Sequence, residues 1–406
     1  MTENESRIKQ LAPSTRWIIR ILCLSAAVAA LLVAPRGIDW TWMVPSLSPQ
    51  VAIAALIAGG VFQAASGLGL LIGLIAVVRR RWFCRWICPT GLCTDTASRL
   101  GRRCGRRPPR LPALGQWVVL ATLGGAVLGY PLLLWLDPLA IFAATLTWLD
   151  GQSVRSAGWA AATLPVLLGL SLLFPHVWCQ RLCPLGGLQD LLSRLSVGRR
   201  CEQQSDQPAS QETSGVVARR VVLFSLIGVA CATMLRRTRA ALSRPLRPPG
   251  AREERDFPGL CIRCGNCIRA CPTHIIQADS TEHGISGWLA PVVRFADDYC
   301  REDCTRCTEA CPSGALTPVA VEDKQRAWIG LARVDMDVCW LGDDRDCAAC
   351  RTHCPFDAIS FRFDEDTYVL TPEIDPERCP GCGACEVACP TQPVKAIVVE
   401  PSAIYA

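Results

Sequence analysis

The residues best equipped for chemistry are cysteines, and their spacing is regular. Residues 256–406 carry sixteen of them in four clusters. The clusters are Cys261, Cys264, Cys267 and Cys271; Cys300, Cys304, Cys307 and Cys311; Cys339, Cys347, Cys350 and Cys354; and Cys379, Cys382, Cys385 and Cys389. Each closes on C-x-x-C-x-x-x-C-P. Closely spaced thiolates on a tight loop can each reach a different iron of one 4Fe–4S cube, while the fourth faces away toward a partner cube. The pattern therefore predicts four 4Fe–4S clusters with these sixteen cysteines as ligands. Zinc knuckles use separated Cys-x-x-Cys pairs, and a disulfide framework has no reason to repeat this run. The third cluster carries a seven-residue insert, Trp340–Asp346, yet no other cysteine is available for the corner assigned to Cys339. Adjacent pairing of motifs (first with second, third with fourth) and nested pairing (first with fourth, second with third) both supply sixteen ligands.

A second set lies in the apolar half. Trp82-Phe83-Cys84-Arg85-Trp86-Ile87-Cys88-Pro89 matches Val177-Trp178-Cys179-Gln180-Arg181-Leu182-Cys183-Pro184. The offset is 95 residues, and it also carries Asp95 onto Asp190. Cysteines at i and i+4 share a helix face. Cys84, Cys88, Cys179 and Cys183 could together ligate a further thiolate-bound metal centre, cycle as dithiols, or pack as small apolar side chains. Cys23, Cys93, Cys104, Cys201 and Cys231 follow no such pattern and read as packing residues.

The elements that must position these thiols differ between the two halves. Half of the 406 residues are hydrophobic and 19% are charged. Four stretches approach the ~20 apolar residues that a bilayer span takes: Trp17–Val33, Val51–Val78, Ala113–Leu136 and Ala157–Val177. Arg20 weakens the first and is expected to snorkel to the surface. Pro138–Leu149 is too short to span and reads as an interfacial or re-entrant helix. Lys+Arg counts of 3, 1, 10, 1 and 6 before, between and after the spans alternate. By the positive-inside rule this puts both Cys-x-x-x-Cys-Pro motifs on the cytoplasmic face.

The expected organisation is an α-helical membrane domain followed by an α+β domain carrying the four clusters. Its parts are a membrane domain (1–198), a polar linker (199–218), an apolar segment led by Arg219-Arg220 (219–235), a basic stalk (236–255) and the cluster domain (256–406). Short helices after each Cys-Pro, with proline in the first turn, and β pieces at Ala358–Phe363 and Ala396–Val399 complete the cluster domain. Residues 1–255 have a net charge of +17 and residues 256–406 of −11. The Arg-Arg pair before Val221–Leu235 has the form of a twin-arginine export signal or anchor and places the acidic half outside. The seven arginines of residues 236–255 pull the other way, toward a cytoplasm-facing relay.

Other chemistries are excluded. One histidine in the membrane half, His176, cannot supply a bis-histidine haem, and no C-x-x-C-H occurs. His176 reads as an interfacial anchor or a contact for a quinone headgroup. Ser313-Gly314-Ala315-Leu316-Thr317 follows Cys311-Pro312 and is a turn rather than a flavin site. The arginine clusters flank apolar spans, which argues against nucleic acid as a partner.

The doubled W-x-C-x-x-x-C-P hairpins resemble the NapH/MauN family of membrane ferredoxin-type proteins. The arginine-led segment with four ferredoxin motifs resembles the NapG/MauM family. The chain looks like a fusion of the two. That resemblance implies a multi-pass protein of the bacterial cytoplasmic (inner) membrane and a quinol dehydrogenase module. Such a module takes electrons from the quinol pool and passes them through 4Fe–4S clusters to a periplasmic cytochrome or reductase. A different class of reading is an electron-supplying assembly factor for an extracytoplasmic metalloenzyme, as in NosR- and CcoG-type proteins.

Overall fold

The computed structural model describes residues 13–32, 41–59, 66–108, 111–149, 158–202, 211–239 and 244–401, except 281, 285, 286, 344, 364, 366 and 367. The chain forms two compact units. The first comprises Met1–Ala240, Pro258–Cys264 and Pro312–Gly314; the second comprises Ala241–Phe257, Gly265–Cys311 and Ala315–Ala406.

The first unit is helical. Its main helices are α1 (Pro13–Leu32), α2 (Pro49–Gly59), α3 (Ser66–Val78), α4 (Pro89–Arg103), α5 (Leu114–Ala126), α6 (Pro138–Leu149), α7 (Gly158–Leu173), α8 (Pro184–Glu202) and α9 (Gln211–Arg239). α1, α2, α4, α6 and α8 all begin on proline, whose missing N–H costs nothing at that position. Thr15–Leu32 of α1 is long and apolar enough to cross a membrane; the other apolar helices are shorter. The stretch expected to be the weakest span is thus the most complete one. α2 and α3 cover the described parts of Val51–Val78, with residues 60–65 outside the described residues, and α5 stops at Ala126 before a turn in which Gly129 takes φ +81° and Pro131 follows. Hydropathy counts apolar residues but is blind to such breakers.

Arg20 does not snorkel. It is 5% exposed, donates to Asp95 at 2.8 Å, and stacks on Trp17. A carboxylate on a neighbouring helix gives the guanidinium a partner that α1 alone does not offer. α6 is enclosed by protein: Leu139 through Ala144 are buried. It is apolar all round, as a core helix must be. Its start is capped by Asp137, which accepts from the N–H groups of Leu139 and Ala140 and from the Ser48 hydroxyl. Large apolar side chains cover the outside of this unit, including Leu22 of α1, Leu74 of α3, Val166 of α7 and Leu226 of α9.

The apolar segment Val221–Leu235 is the middle of the 29-residue α9. It packs on α5 through small residues. A Cβ on Gly228 would sit 2.2 Å from the Ala121 carbonyl, and one on Gly124 would sit 2.3 Å from that of Ser225. Trp117 stacks on Phe224 at 4.8 Å beside this seam. Close backbone approach of this kind is how helices associate where lipid removes the hydrophobic drive. Helix also replaces part of the expected linker, since α8 runs to Glu202 and α9 starts at Gln211. Residues 203–210 lie outside the described residues. Gln, Glu and Arg are good helix formers, so polarity alone does not make a linker.

The second unit is built from three antiparallel pairs: β1 (Ile276–Ala278) with β2 (Pro291–Val293), β3 (Leu331–Val334) with β6 (Ile397–Glu400), and β4 (Ile359–Phe363) with β5 (Leu370–Ile374). The β3–β6 register sets Ala332 opposite Val399. Four short helices complete it: α10 (Asn266–Ala270), α11 (Arg306–Glu309), α12 (Ala349–Thr352) and α13 (Ala384–Ala388). These helices precede Cys-Pro rather than follow it. Cys271 (φ −75°, ψ 112°) and Cys389 (φ −63°, ψ 123°) are extended, because a following proline disfavours helical backbone. At these two sites the helix therefore ends at the residue before the cysteine, and a strand follows.

Much of the expected stalk belongs to this unit. Arg247 is 7% exposed, forks onto Glu254 at 2.7 and 2.8 Å, and donates to the Pro291 carbonyl. Ala251 bridges to Leu316. A bidentate carboxylate makes burial of this arginine tolerable, so its charge serves the fold instead of a lipid surface.

Candidate functional site

In the second unit the thiols gather in quartets drawn from neighbouring motifs. Cys271 lines one cavity together with Cys300, Cys304 and Cys307. Burial pushes the Cys307 thiol far up, and the thiols of Cys300, Cys271 and Cys304 add to it. Downstream, burial pushes Cys382 up to about 12, with Cys354 and Cys379 contributing. Cys385 is raised by burial and then by Cys382, Cys379 and Cys354. The fourth cysteine of one motif thus joins the first three of the next. Cys350 is raised to about 11, by burial first and then by Cys347 and Cys339. The Trp340–Asp346 insert folds back on itself, with the N–H groups of Asp343 and Arg345 both bonded to the Trp340 carbonyl, and so Cys339 reaches its neighbours.

Each third cysteine (Cys267, Cys307, Cys350, Cys385) sits in one of the short helices. Gly265 and Gly383, at φ +77° and +85°, make the left-handed turn into α10 and α13. N–H donors are aimed at sulfur, from Leu316 to Cys311 Sγ and from Ala358 to Cys354 Sγ, both at 3.4 Å. Buried thiols this close together resist ionising as a bare set. Iron compensates the charge of a thiolate, and the N–H donors suit a sulfur that carries it. The donor set therefore fits 4Fe–4S cubes.

The first unit brings together all four of its paired cysteines. Burial pushes Cys84 up to about 12, and the Cys179 thiol adds to the rise. Cys88 and Cys183 are raised well above the ordinary thiol range, by burial and then by Cys84 and Cys179. Among the described residues no three His, Cys, Asp or Glu close tightly enough on one point to hold a single ion.

The repeat shapes both copies alike. Cys84 lies on the one-turn helix Trp82–Trp86 and Cys179 on the π-helical turn Trp178–Leu182. Cys88 and Cys183 are extended and start α4 and α8, and Cys88 Sγ accepts from the Gly91 N–H at 3.3 Å. The copies then exchange partners. Thr94, on the helix of the first motif, bonds Cys179 Sγ at 3.0 Å; Gln189, on the helix of the second, donates to Cys84 Sγ at 3.3 Å. Positions 94 and 189 are related by the same 95-residue offset as the cysteines. The acids follow suit: Asp95 binds Arg20, and Asp190 binds Arg80 and Arg81 at 2.8 and 2.5 Å. The offset, already visible in the sequence, was the signal for Thr94 and Gln189.

A cavity of about 200 Å³ opens beside Cys84 and Cys179, with Arg20, Asp95, Ser171 and His176 in its wall. His176 lies 3.9 Å from Asp95 and takes φ +62°. Arg20 Nε and the Ser171 hydroxyl are buried in this wall without a partner.

The comparisons agree with this chemistry. A 4Fe-4S dicluster domain model matches residues 260–315 and 344–392, and a 4Fe-4S binding domain model matches residues 63–107 and 157–200. The latter segments contain both Cys-x-x-x-Cys-Pro motifs. This is an iron–sulfur electron-transfer protein of the ferredoxin type. The methylamine utilization ferredoxin-type protein MauM of Methylobacillus flagellatus is 34% identical over 184 residues, 43% of this chain and 76% of that protein. The ferredoxin-type protein NapG of Escherichia coli is 34% identical over 176 residues, 41% of this chain and 74% of that protein. NapF of the same organism is 32% identical over 154 residues, 38% of this chain and 85% of that protein. The chain belongs to this family of MauM- and NapG-type ferredoxins. No solved structure matches it.

Proposed function

We propose that the chain is a membrane-anchored quinol dehydrogenase module, a fusion of a NapH/MauN-like membrane part with a NapG/MauM-like ferredoxin part. In this reading the sixteen cysteines of residues 256–406 hold four 4Fe–4S clusters. Cys84, Cys88, Cys179 and Cys183 hold a further thiolate-bound centre. The clusters supply one-electron carriers. The anchor is α1 with the large apolar side chains exposed on the other helices of the first unit, which suit lipid surroundings.

The observation that carries the reading is the cavity beside Cys84 and Cys179. A quinol headgroup presents two hydroxyls on an apolar ring. Arg20 Nε and the Ser171 hydroxyl are unpartnered donors for its oxygens, and Asp95 with His176 can accept its protons. Oxidation of one quinol releases two protons and two electrons, the latter leaving singly to iron–sulfur centres. The acceptor is a redox partner outside the cytoplasm, and the acidic ferredoxin part suits a basic one.

The test is reduction of the purified, detergent-solubilised chain by a soluble quinol without oxygen. Bleaching of the iron–sulfur absorbance is expected, and Ser171→Val should slow it. Clusters that respond to dithionite but never to quinol would end the quinol reading.

A further inference from the structure

The chain contains three lysines against 39 arginines. Lys9 lies outside the described residues. The other two touch cysteine motifs. Lys395 donates to the Cys389 carbonyl at 2.5 Å. Lys324 donates to the Cys304 carbonyl at 2.6 Å and to Cys300 Sγ at 3.3 Å.

Lys324 sits on the 3-10 turn Val321–Arg326, where the usual sorting of side chains is inverted. Val321, Glu322, Asp323, Gln325 and Arg326 are exposed, while the lysine is 3% exposed. Burying an ammonium is costly unless negative charge meets it. The partners in reach are a thiol sulfur and a carbonyl. Lysine suits this site because it is a compact point charge with three rotatable donors.

We infer that Lys324 is a positioning residue that holds a positive charge against Cys300 Sγ and raises the reduction potential of the cluster held by Cys271, Cys300, Cys304 and Cys307. Reduction adds one negative charge to that cluster. A fixed cation at hydrogen-bonding distance stabilises the reduced form more than the oxidised one, and burial limits screening by solvent. The inference rests on this quartet holding a cluster, as proposed above.

The test is a potentiometric titration of the full-length chain in detergent, read by electron paramagnetic resonance. Lys324→Met should lower one midpoint and leave the rest in place, and Lys324→Arg should recover part of the shift. Unchanged midpoints in Lys324→Met at full iron content would overturn the inference. Should that variant lose iron, labelling the native chain with 15N-lysine decides instead. With so few lysines, a 15N coupling on one reduced-cluster signal supports the contact, and none on any signal refutes it. Failure of the underlying reading looks different: Cys304→Ser would then leave the iron content unchanged.

Discussion

The same dipeptide, Cys-Pro, does opposite work in the two units. In the first, Cys88-Pro89 and Cys183-Pro184 open the long helices α4 and α8. In the second, Cys271-Pro272 and Cys389-Pro390 close the short helices α10 and α13. The cause is shared: proline holds the preceding cysteine extended. What differs is the side on which the helix lies. At a helix start the thiol meets free N–H groups and the positive end of the macrodipole. At a helix end it loses that help. The second unit supplies N–H donors from loops instead, and it places both of its lysines at cysteine motifs. The first unit uses arginines, and directs them to carboxylates.

The largest effect that could break this comparison is metal removal. Strands of three to five residues in two-stranded sheets are marginal alone. Buried thiol quartets without iron repel once ionised, and cluster binding is then folding energy. Anaerobic oxidation and chelation should leave residues 244–400 open to protease, while the helical circular dichroism of the first unit persists. Simultaneous collapse of both units would refute the distinction.

Next in size is loss of the centre proposed in the first unit. The double variant Cys84→Ser, Cys179→Ser should lose about 4 of about 20 irons per chain, counting five cubes. The resonance signals of the second unit should stay in place. Iron analysis beside spectroscopy reads both, and an unchanged iron count would remove the first unit from the list of metal sites.

A smaller and symmetric effect is expected at Thr94 and Gln189. Each variant, Thr94→Val or Gln189→Leu, removes one hydrogen bond to a sulfur, worth about 1.5 kcal/mol if that sulfur is charged. Each should lower the midpoint of the same centre. Shifts in two different centres would show that the repeats act separately.

The smallest effect is acid-dependent. Burial alone would raise the Asp190 carboxyl, but hydrogen bonds and charge from Arg81 and Arg80 more than offset it and hold the group below the usual carboxylate range. A depressed value means its stabilisation is complete above that range and is lost as pH falls through the depressed value. The thermal stability of the native chain should therefore exceed that of Asp190→Asn at neutral pH, and the two should converge below about pH 4. A gap that widens in acid would contradict the assignment.

The cysteine motifs are legible in the sequence because coordination fixes spacing before any fold exists. The helices around them were misplaced: proline reads equally well as the first turn of one element or the stop of another. Arg20 was misread because a single span offers no carboxylate, and its partner Asp95 arrives from 75 positions away. Arg247 was misread because composition assigns charge to solvent, and the Glu254 that takes it inward is a tertiary fact. For Lys324 the sequence does carry a signal, the rarity of its type among so many arginines.

The seam between α5 and α9 carries a consequence for kinetics. That seam sets a helix at glycine against a neighbouring backbone, and the polypeptide of the second unit continues from it in the same chain. Under the proposed quinol reading, transfer from the first unit to the second would be first order, indifferent to dilution, and free of any collision between separate carriers.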